Sequence, residues 1–310
     1  MKRGYVMECR EIDIYGYEEM HDHLSTLSTQ YPILHVESIG SSVLGRPIQV
    51  VQMGVGERKI HINAAFHANE WITTPLLMQF IEDCLHCNTT GEQLYGYDVQ
   101  ALLAEAELWL VPMVNPDGVE LVVRGRETIS DKQLREAVFN WNEQSDDYTG
   151  WKANIRGVDL NDQFPAFWEV ECERRTVSGP SSRDYGGNAP LTEPEAKAIA
   201  AFTQKEEFDV VIALHTQGKE IYWNYRDLEC PHAEAYANRL AQVSGYAAIK
   251  LTGSDAGYKD WFIQETGRPG FTIELGEGVN PLPISDMQDI YPNMARLLLE
   301  AISRSEPQVG

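Results

Sequence analysis

The run Phe66-His67-Ala68-Asn69-Glu70-Trp71 sits where one periodicity gives way to another, and that junction constrains the fold more than any other stretch of the chain. Residues 59–66 alternate and are rich in apolar side chains, the pattern of a strand. From Thr74 the pattern is helical, with Pro75 in the first turn, where a missing N–H costs little. His67 and Glu70 therefore lie on a strand-to-helix turn. In an open α/β sheet ligands bind beyond the carboxyl ends of the strands, so an imidazole and a carboxylate there form a candidate site. Alone the pair is weak evidence, because His-x-x-Glu arises by chance in chains of this length and equally suits a structural turn.

The arrangement recurs. Residues 208–214 form a near-continuous apolar run, as in a strand buried on both faces, and the run ends in His215 followed by Thr216-Gln217-Gly218. Two imidazoles and one carboxylate, with a fourth position left to water, make the open zinc site of a hydrolase. A third short apolar run, 270–273, ends in Glu274. A lone acid at such a strand end has either a partner or a catalytic task.

Around these runs the chain alternates between strand and helix patterns. A helix is predicted over 17–29, then strands over 34–39 and 47–53 joined by a Gly-containing turn as a hairpin. Another strand covers 107–114 and ends at Asn115-Pro116-Asp117-Gly118, whose residue types mark a turn. Thr192-Glu193-Pro194-Glu195 has the pattern of a capping box opening a helix over 196–204, and further helices are predicted over 231–244, 258–265 and 286–302. Two long polar segments, 140–157 and 176–188, read as walls of a cleft or as disorder. The expected fold is α/β, a single domain with a mixed, mostly parallel central sheet and helices on both faces.

Charge and cysteines narrow the partners. A formal net charge of −22 argues against nucleic acid and anionic membranes, which demand a basic face, and leaves a preference for amine-bearing substrates or plain solubility as its meaning. No apolar run follows the early Lys2-Arg3 pair, and none is long enough to span a bilayer, so the sequence reads as cytoplasmic. Five cysteines, an odd number without framework spacing, fit a reducing compartment. Cys84 and Cys87, beside His86, form a C-x-x-C that is either a second metal or redox pair or two ordinary helix cysteines.

Three strand ends carrying His67 with Glu70, His215 and Glu274, in that order, resemble the zinc metallocarboxypeptidases of the carboxypeptidase A type. Asn115-Pro116-Asp117-Gly118 and Gly157-Val158-Asp159-Leu160-Asn161 look like further signatures, and the likeness runs from about Ile39 to Gly278. Asn161-Asp162-Gln163-Phe164-Pro165 and the stretch from Phe271 to Gly278 are most similar to the bacterial γ-D-glutamyl-meso-diaminopimelate endopeptidases, which cut peptidoglycan stem peptides. The resemblance implies a carboxypeptidase-like fold and one zinc peptidase domain over residues 1–310. It implies Zn2+ held by His67, Glu70 and His215, with Glu274 as general base and then general acid. Lys152 falls where the family has an arginine that stabilises the oxyanion, although an ordinary surface lysine is the competing reading.

One departure bears on the substrate. The family follows the asparagine matching Asn161 with an arginine that clamps a C-terminal carboxylate, whereas this chain has Asp162. The match on Asp260-Trp261 puts Thr252 where the family has a tyrosine and Lys259 in the side-chain pocket. Asn161, Asp162, Thr252 and Lys259 are thus the expected substrate-binding residues, Asp162 reading the ammonium and Lys259 the carboxylate of diaminopimelate in a stem peptide. Two rivals remain: a conventional carboxypeptidase, which needs Arg156 or Arg183 beside Asn161, and a non-catalytic peptidoglycan-binding module.

Overall fold

The computed structural model describes residues 14–303. Cys9, the amino-terminal stretch on which the reading of a missing leader rests, and both ends of the 1–310 domain assignment lie outside them.

Eight strands form one sheet: β1 (His35–Ser41), β2 (Pro47–Met53), β3 (Arg58–Ala64), β6 (Ala106–Val111), β7 (Val210–His215), β8 (Glu220–Tyr222), β9 (Ala247–Ile249) and β10 (Gly270–Glu274). The spatial order is β1-β2-β6-β3-β7-β10-β8-β9, and two further short strands, β4 (Gln93–Leu94) and β5 (Tyr97–Asp98), make a separate hairpin. Its centre, β6-β3-β7-β10, is parallel throughout. The β8-β9 pair is also parallel, while β1-β2, β2-β6 and β10-β8 are antiparallel. From β3 the chain proceeds to β6 on one side, while β7 lies on the other, which makes the β3-β7 boundary the point where the strand order reverses. Ligand sites form at that boundary.

Alternation along the central strands builds two cores. Ile60, Ile62, Ala64, Val210, Ile212 and Leu214 point into a large cluster with α1 (Tyr17–Gln30), α2 (Thr73–Thr90), α3 (Val99–Glu105), α8 (Ala233–Ser244) and α10 (Met287–Ile302). Val211 and Ala213 point the other way, into a cluster with α7 (Pro194–Glu206) and α9 (Tyr258–Thr266). His61 belongs to that second face: it stacks on Phe208 at 5.0 Å, its Nδ1 lies 3.0 Å from the Trp109 carbonyl, and burial pushes its pKa down to about 4. It is a neutral core histidine. The mixed sheet with a parallel centre and helices on both faces is as expected, and the β1-β2 hairpin and the helices at 17–29, 231–244, 258–265 and 286–302 are present to within three residues at each end.

Several elements differ from expectation. Asn115-Pro116-Asp117-Gly118 is not a free turn but the start of α4 (Pro116–Arg124): the Asn115 side chain accepts from Gly118 N–H at 3.1 Å, and proline occupies the first turn. Thr192 does not cap α7. Its hydroxyl and N–H donate to Gln163 Oε1, and Glu193 takes the capping position without a side-chain bond. The stretch 140–157 is only partly loop, because α5 (Lys132–Trp141) enters it and Tyr148, Trp151, Ala153 and Ile155 form a third core cluster with Ala68. Cys84 and Cys87 are buried, unpaired thiols of α2, and burial pushes both upward, Cys87 to about 11. Ordinary helix cysteines account for them. No helix among the described residues is long and apolar enough to cross a membrane.

Candidate metal centre

The carboxyl ends of three adjacent parallel strands converge on one point. β7 ends in His215, and β10 pairs with it so that Glu274 lies directly beside His215. After β3 the chain turns sharply. Ala65 adopts φ 51°, a left-handed conformation that costs an L-residue energy and that clusters at functional turns. Thr73 stabilises it, accepting Ala65 N–H at 3.0 Å and donating to the Glu70 carbonyl at 2.8 Å. A single 3-10 turn, Ala68–Glu70, then brings Glu70 back over His67.

His67, Glu70 and His215 are all buried, and one ligand atom from each lies within 4.8 Å of the others. Glu70 Oε1 is 2.9 Å from His67 Nδ1, Glu70 Oε2 is 2.9 Å from His215 Nδ1, and the two Nδ1 atoms are 3.2 Å apart. Ligand bonds of about 2.0–2.1 Å in a tetrahedron give edges of about 3.3 Å, so this triangle fits zinc with little adjustment. Asp159 completes the setting, with Oδ1 3.2 Å from His67 Nε2. A carboxylate there fixes the tautomer that leaves Nδ1 free for a metal.

The electrostatics agree. Burial disfavours charge on His67, but Glu70 and Asp159 outweigh it and push its pKa up to about 9, while burial holds His215 below the ordinary histidine value. Despite burial, Glu70 is held far below the carboxylate range by His67 and His215, and Asp159 by His67 and Lys152. Two buried carboxylates thus stay charged with the His67 imidazole between them supplying the balancing positive charge, the place a metal dication would take. Glu274 behaves oppositely: burial, then Glu70, push it up to about 8.

The other expected residues are placed as follows. Lys152 is largely buried, its Nζ 3.9 Å from Asp159 Oδ2, and its carbonyl accepts the N–H of Ala68, next to His67. Asn161 donates its N–H to Asp159 Oδ1 at 3.1 Å and accepts from Tyr258 N–H at 3.2 Å. Thr252 is exposed in the segment after β9. Asp162 is not an open acid waiting for an ammonium: it is buried, and its two oxygens accept from Nε and Nη2 of Arg175 at 3.0 and 3.1 Å. Lys259 likewise has internal partners, the Asn224 carbonyl at 2.7 Å and Asp260 Oδ1.

Sequence reading gave no role to Asp159, although it quoted the motif containing it. It also missed Arg175, which ends α6 (Trp168–Arg174) as its cap, and Glu220, which faces Glu274 across β8-β10. Two charged residues at matching positions of an antiparallel pair were the available signal for Glu220, but the pairing itself is not legible in the chain. Asn69 is a further candidate, buried between two ligands with an Oδ1 that meets no donor among the described residues.

Comparison with known proteins bears on this geometry. The chain is 48% identical over 288 residues to "Gamma-D-glutamyl-L-diamino acid endopeptidase 1" of Lysinibacillus sphaericus, covering 93% of this chain and 72% of the relative. In fold it is similar to thrombin activatable fibrinolysis inhibitor (TM-score 0.76, 20% identity, 93% of this chain and 73% of that one). It is also similar to murein-tripeptide amidase MpaA of Escherichia coli O157 (TM-score 0.56, 21% identity, 88% and 93%). The sequence profile of the zinc carboxypeptidases matches residues 20–295, a span that takes in the whole His67, Glu70 and His215 triangle, and the chain belongs to that family.

Proposed function

We propose that the protein hydrolyses the bond between the γ-carboxyl of D-glutamate and the L-centre of a diamino acid, meso-diaminopimelate, in peptidoglycan stem peptides. The observation that carries this reading is the 48% identity, across almost the whole chain, to an enzyme named for that bond.

Zinc held by His67, Glu70 and His215 would polarise the scissile carbonyl and lower the pKa of a neighbouring water to about 7. Glu274 takes a proton from the attacking water and returns it to the leaving amine. Burial and Glu70 push its carboxyl up to about 8, and a dication held by the neighbouring triangle would draw it down into the range where it accepts a proton at neutral pH. Lys152 supplies positive charge where the carbonyl oxygen becomes negative, with Asp159 holding its ammonium in place.

Trimming of ordinary C-terminal residues fits less well. A free cation would have to stand beside Asn161 for the terminal carboxylate, yet Arg156 lies against Glu193 at 3.5 Å and Arg183 shares no hydrogen bond or ion pair with Asn161 among the described residues. The arginine that does approach, Arg175, is already bound by Asp162 and by Glu171.

Incubation with L-Ala-γ-D-Glu-meso-diaminopimelate should release diaminopimelate and L-Ala-D-Glu, identified by mass spectrometry. Glu274→Gln should keep its zinc and lose more than the roughly 10²–10⁴-fold typical of one acid–base group, since both proton transfers fail. Cleavage of α-linked peptides with none of the γ-linked one would overturn the assignment.

A further inference from the structure

A γ-glutamyl bond leaves a chemical mark on the acyl side of the cut. The α-carboxylate of the glutamate is not consumed in the linkage, so it stands, charged, about 5 Å from the scissile carbonyl carbon. Burying that anion beside a metal centre needs a cation that is not already neutralised.

The basic side chains around the site can be sorted by what they already hold. Lys152 is committed to Asp159 and to the oxyanion. Arg175 binds Asp162 through two hydrogen bonds and Glu171 through Nε, and Arg174 and Arg226 both bind Asp255. Two are held weakly among the described residues: Arg156, 50% exposed, meets Glu193 at 3.5 Å, and Arg183, 56% exposed, meets one acid, Asp184, through Nε at 3.3 Å; of the two, Arg183 is the one whose charge bears on Lys152.

Its backbone, in contrast, is fixed against the site. Ser181 N–H donates to the Gly157 carbonyl at 3.0 Å, the Ser182 carbonyl accepts the N–H groups of Lys152 and Ala153 at 2.8 and 3.0 Å, and the Tyr185 carbonyl accepts Asp159 N–H at 2.8 Å. Hydrogen bonds on both sides of position 183 thus tie it to the segment that carries Lys152 and Asp159. Lys152 is in turn bonded to Ala68, next to His67. The charge of Arg183 is near enough to Lys152 to oppose its protonation. Asp184 also accepts from Arg175 at 3.4 Å and meets Arg183 through Nε, while neither terminal nitrogen of the Arg183 fork has a protein partner among the described residues.

We propose that Arg183 is a specificity-determining residue that grips the free α-carboxylate of the γ-glutamyl residue, on the acyl side of the scissile bond. The inference rests on the γ-D-glutamyl reading of function and names the feature that distinguishes such substrates from α-linked peptides. A fork of two N–H donors suits a carboxylate in a way that an ammonium does not.

The test pairs L-Ala-γ-D-Glu-meso-diaminopimelate with the same peptide carrying D-isoglutamine, in which the α-carboxylate is an uncharged amide. The zinc-loaded native enzyme should prefer the carboxylate peptide. Arg183→Gln should lose about 10- to 100-fold in kcat/KM on it, mostly through KM, and at most about three-fold on the amide. Arg183→Lys, which keeps the charge without the fork, should fall between. Equal losses on both peptides, or an unchanged preference in Arg183→Gln, would overturn the assignment while leaving the γ-glutamyl activity standing. Failure of the native enzyme to cut either peptide would remove the functional reading and this inference with it.

Discussion

A single carboxylate, Asp159, decides which nitrogen of His67 faces a cation. With Oδ1 3.2 Å from Nε2, it favours the proton on that side and leaves the Nδ1 lone pair for zinc. The same oxygen accepts Asn161 N–H at 3.1 Å, so replacement by asparagine keeps an acceptor for the backbone and removes only the charge. Asp159→Asn should therefore leave the fold intact and weaken zinc binding about 10- to 100-fold, measured by competition with a chelator. Unchanged affinity would show that the tautomer is fixed elsewhere. The ligands themselves were readable because each ends an apolar run, and a run ending in His or Glu is visible without knowing the fold. Asp159 was not, because its partner is 92 positions earlier in the chain and only the folded β3 turn brings them together. The partner of Asp162 was missed for a related reason. The acid's replacement of an arginine was visible, but the compensating Arg175 comes from the end of a helix that the sequence reading did not find.

The helices that escaped the sequence reading are short ones, α4 and α6 beside the site among them, and for α4 the reason is physical. Asn, Pro, Asp and Gly serve a turn and a helix start equally well, since both need a side chain that bonds nearby N–H groups. In α4 they do more: Asn115 Nδ2 donates to the carbonyls of Phe66 and Ala153, bracing the strand end before His67. A Cβ at Gly118 would lie 2.6 Å from Asn115 Oδ1, so the glycine is needed for that close approach. Helix α7 shows a different device. Its Glu195 is fully buried, accepting Val43 N–H at 3.1 Å and Asn154 Nδ2 at 3.3 Å, and burial pushes its carboxyl up to about 7. A folded-state pKa above the unfolded value near 4.3 means that the native protein keeps a proton that the unfolded chain releases. Stability is then lost as pH rises from about 4.5 to about 7, by roughly 3 kcal/mol when complete. Glu195→Gln removes this dependence. The difference in Tm between variant and native protein should shift in the variant's favour from pH 4.5 to 7.5, and a difference that stays constant with pH would refute the titration of Glu195.

At the scale of the whole molecule, the charge of −22 was read as plain solubility or a preference for amine-bearing substrates, and the site does not follow the average. Lys152 is paired with Asp159 and Arg175 with Asp162 and Glu171, so Arg183 is the cation offered to the proposed substrate, L-Ala-γ-D-Glu-meso-diaminopimelate, which carries three carboxylates against two ammonium groups and is a net anion. Local and global fields therefore oppose each other, and their ranges differ. At 10 mM salt the Debye length is about 30 Å, so the substrate feels most of the protein's negative charge as it approaches. At 150 mM the length is about 8 Å, which screens the distant acids but leaves the contact between the α-carboxylate and a guanidinium at hydrogen-bond distance nearly intact. Near 1 M it is about 3 Å, and the contact itself weakens. The expected result is kcat/KM that rises between 10 and 150 mM salt and falls again toward 1 M, measured on that tripeptide at constant pH. A steady fall from the lowest salt would mean that the local cations dominate at every distance, and the net charge would then have no part in substrate capture.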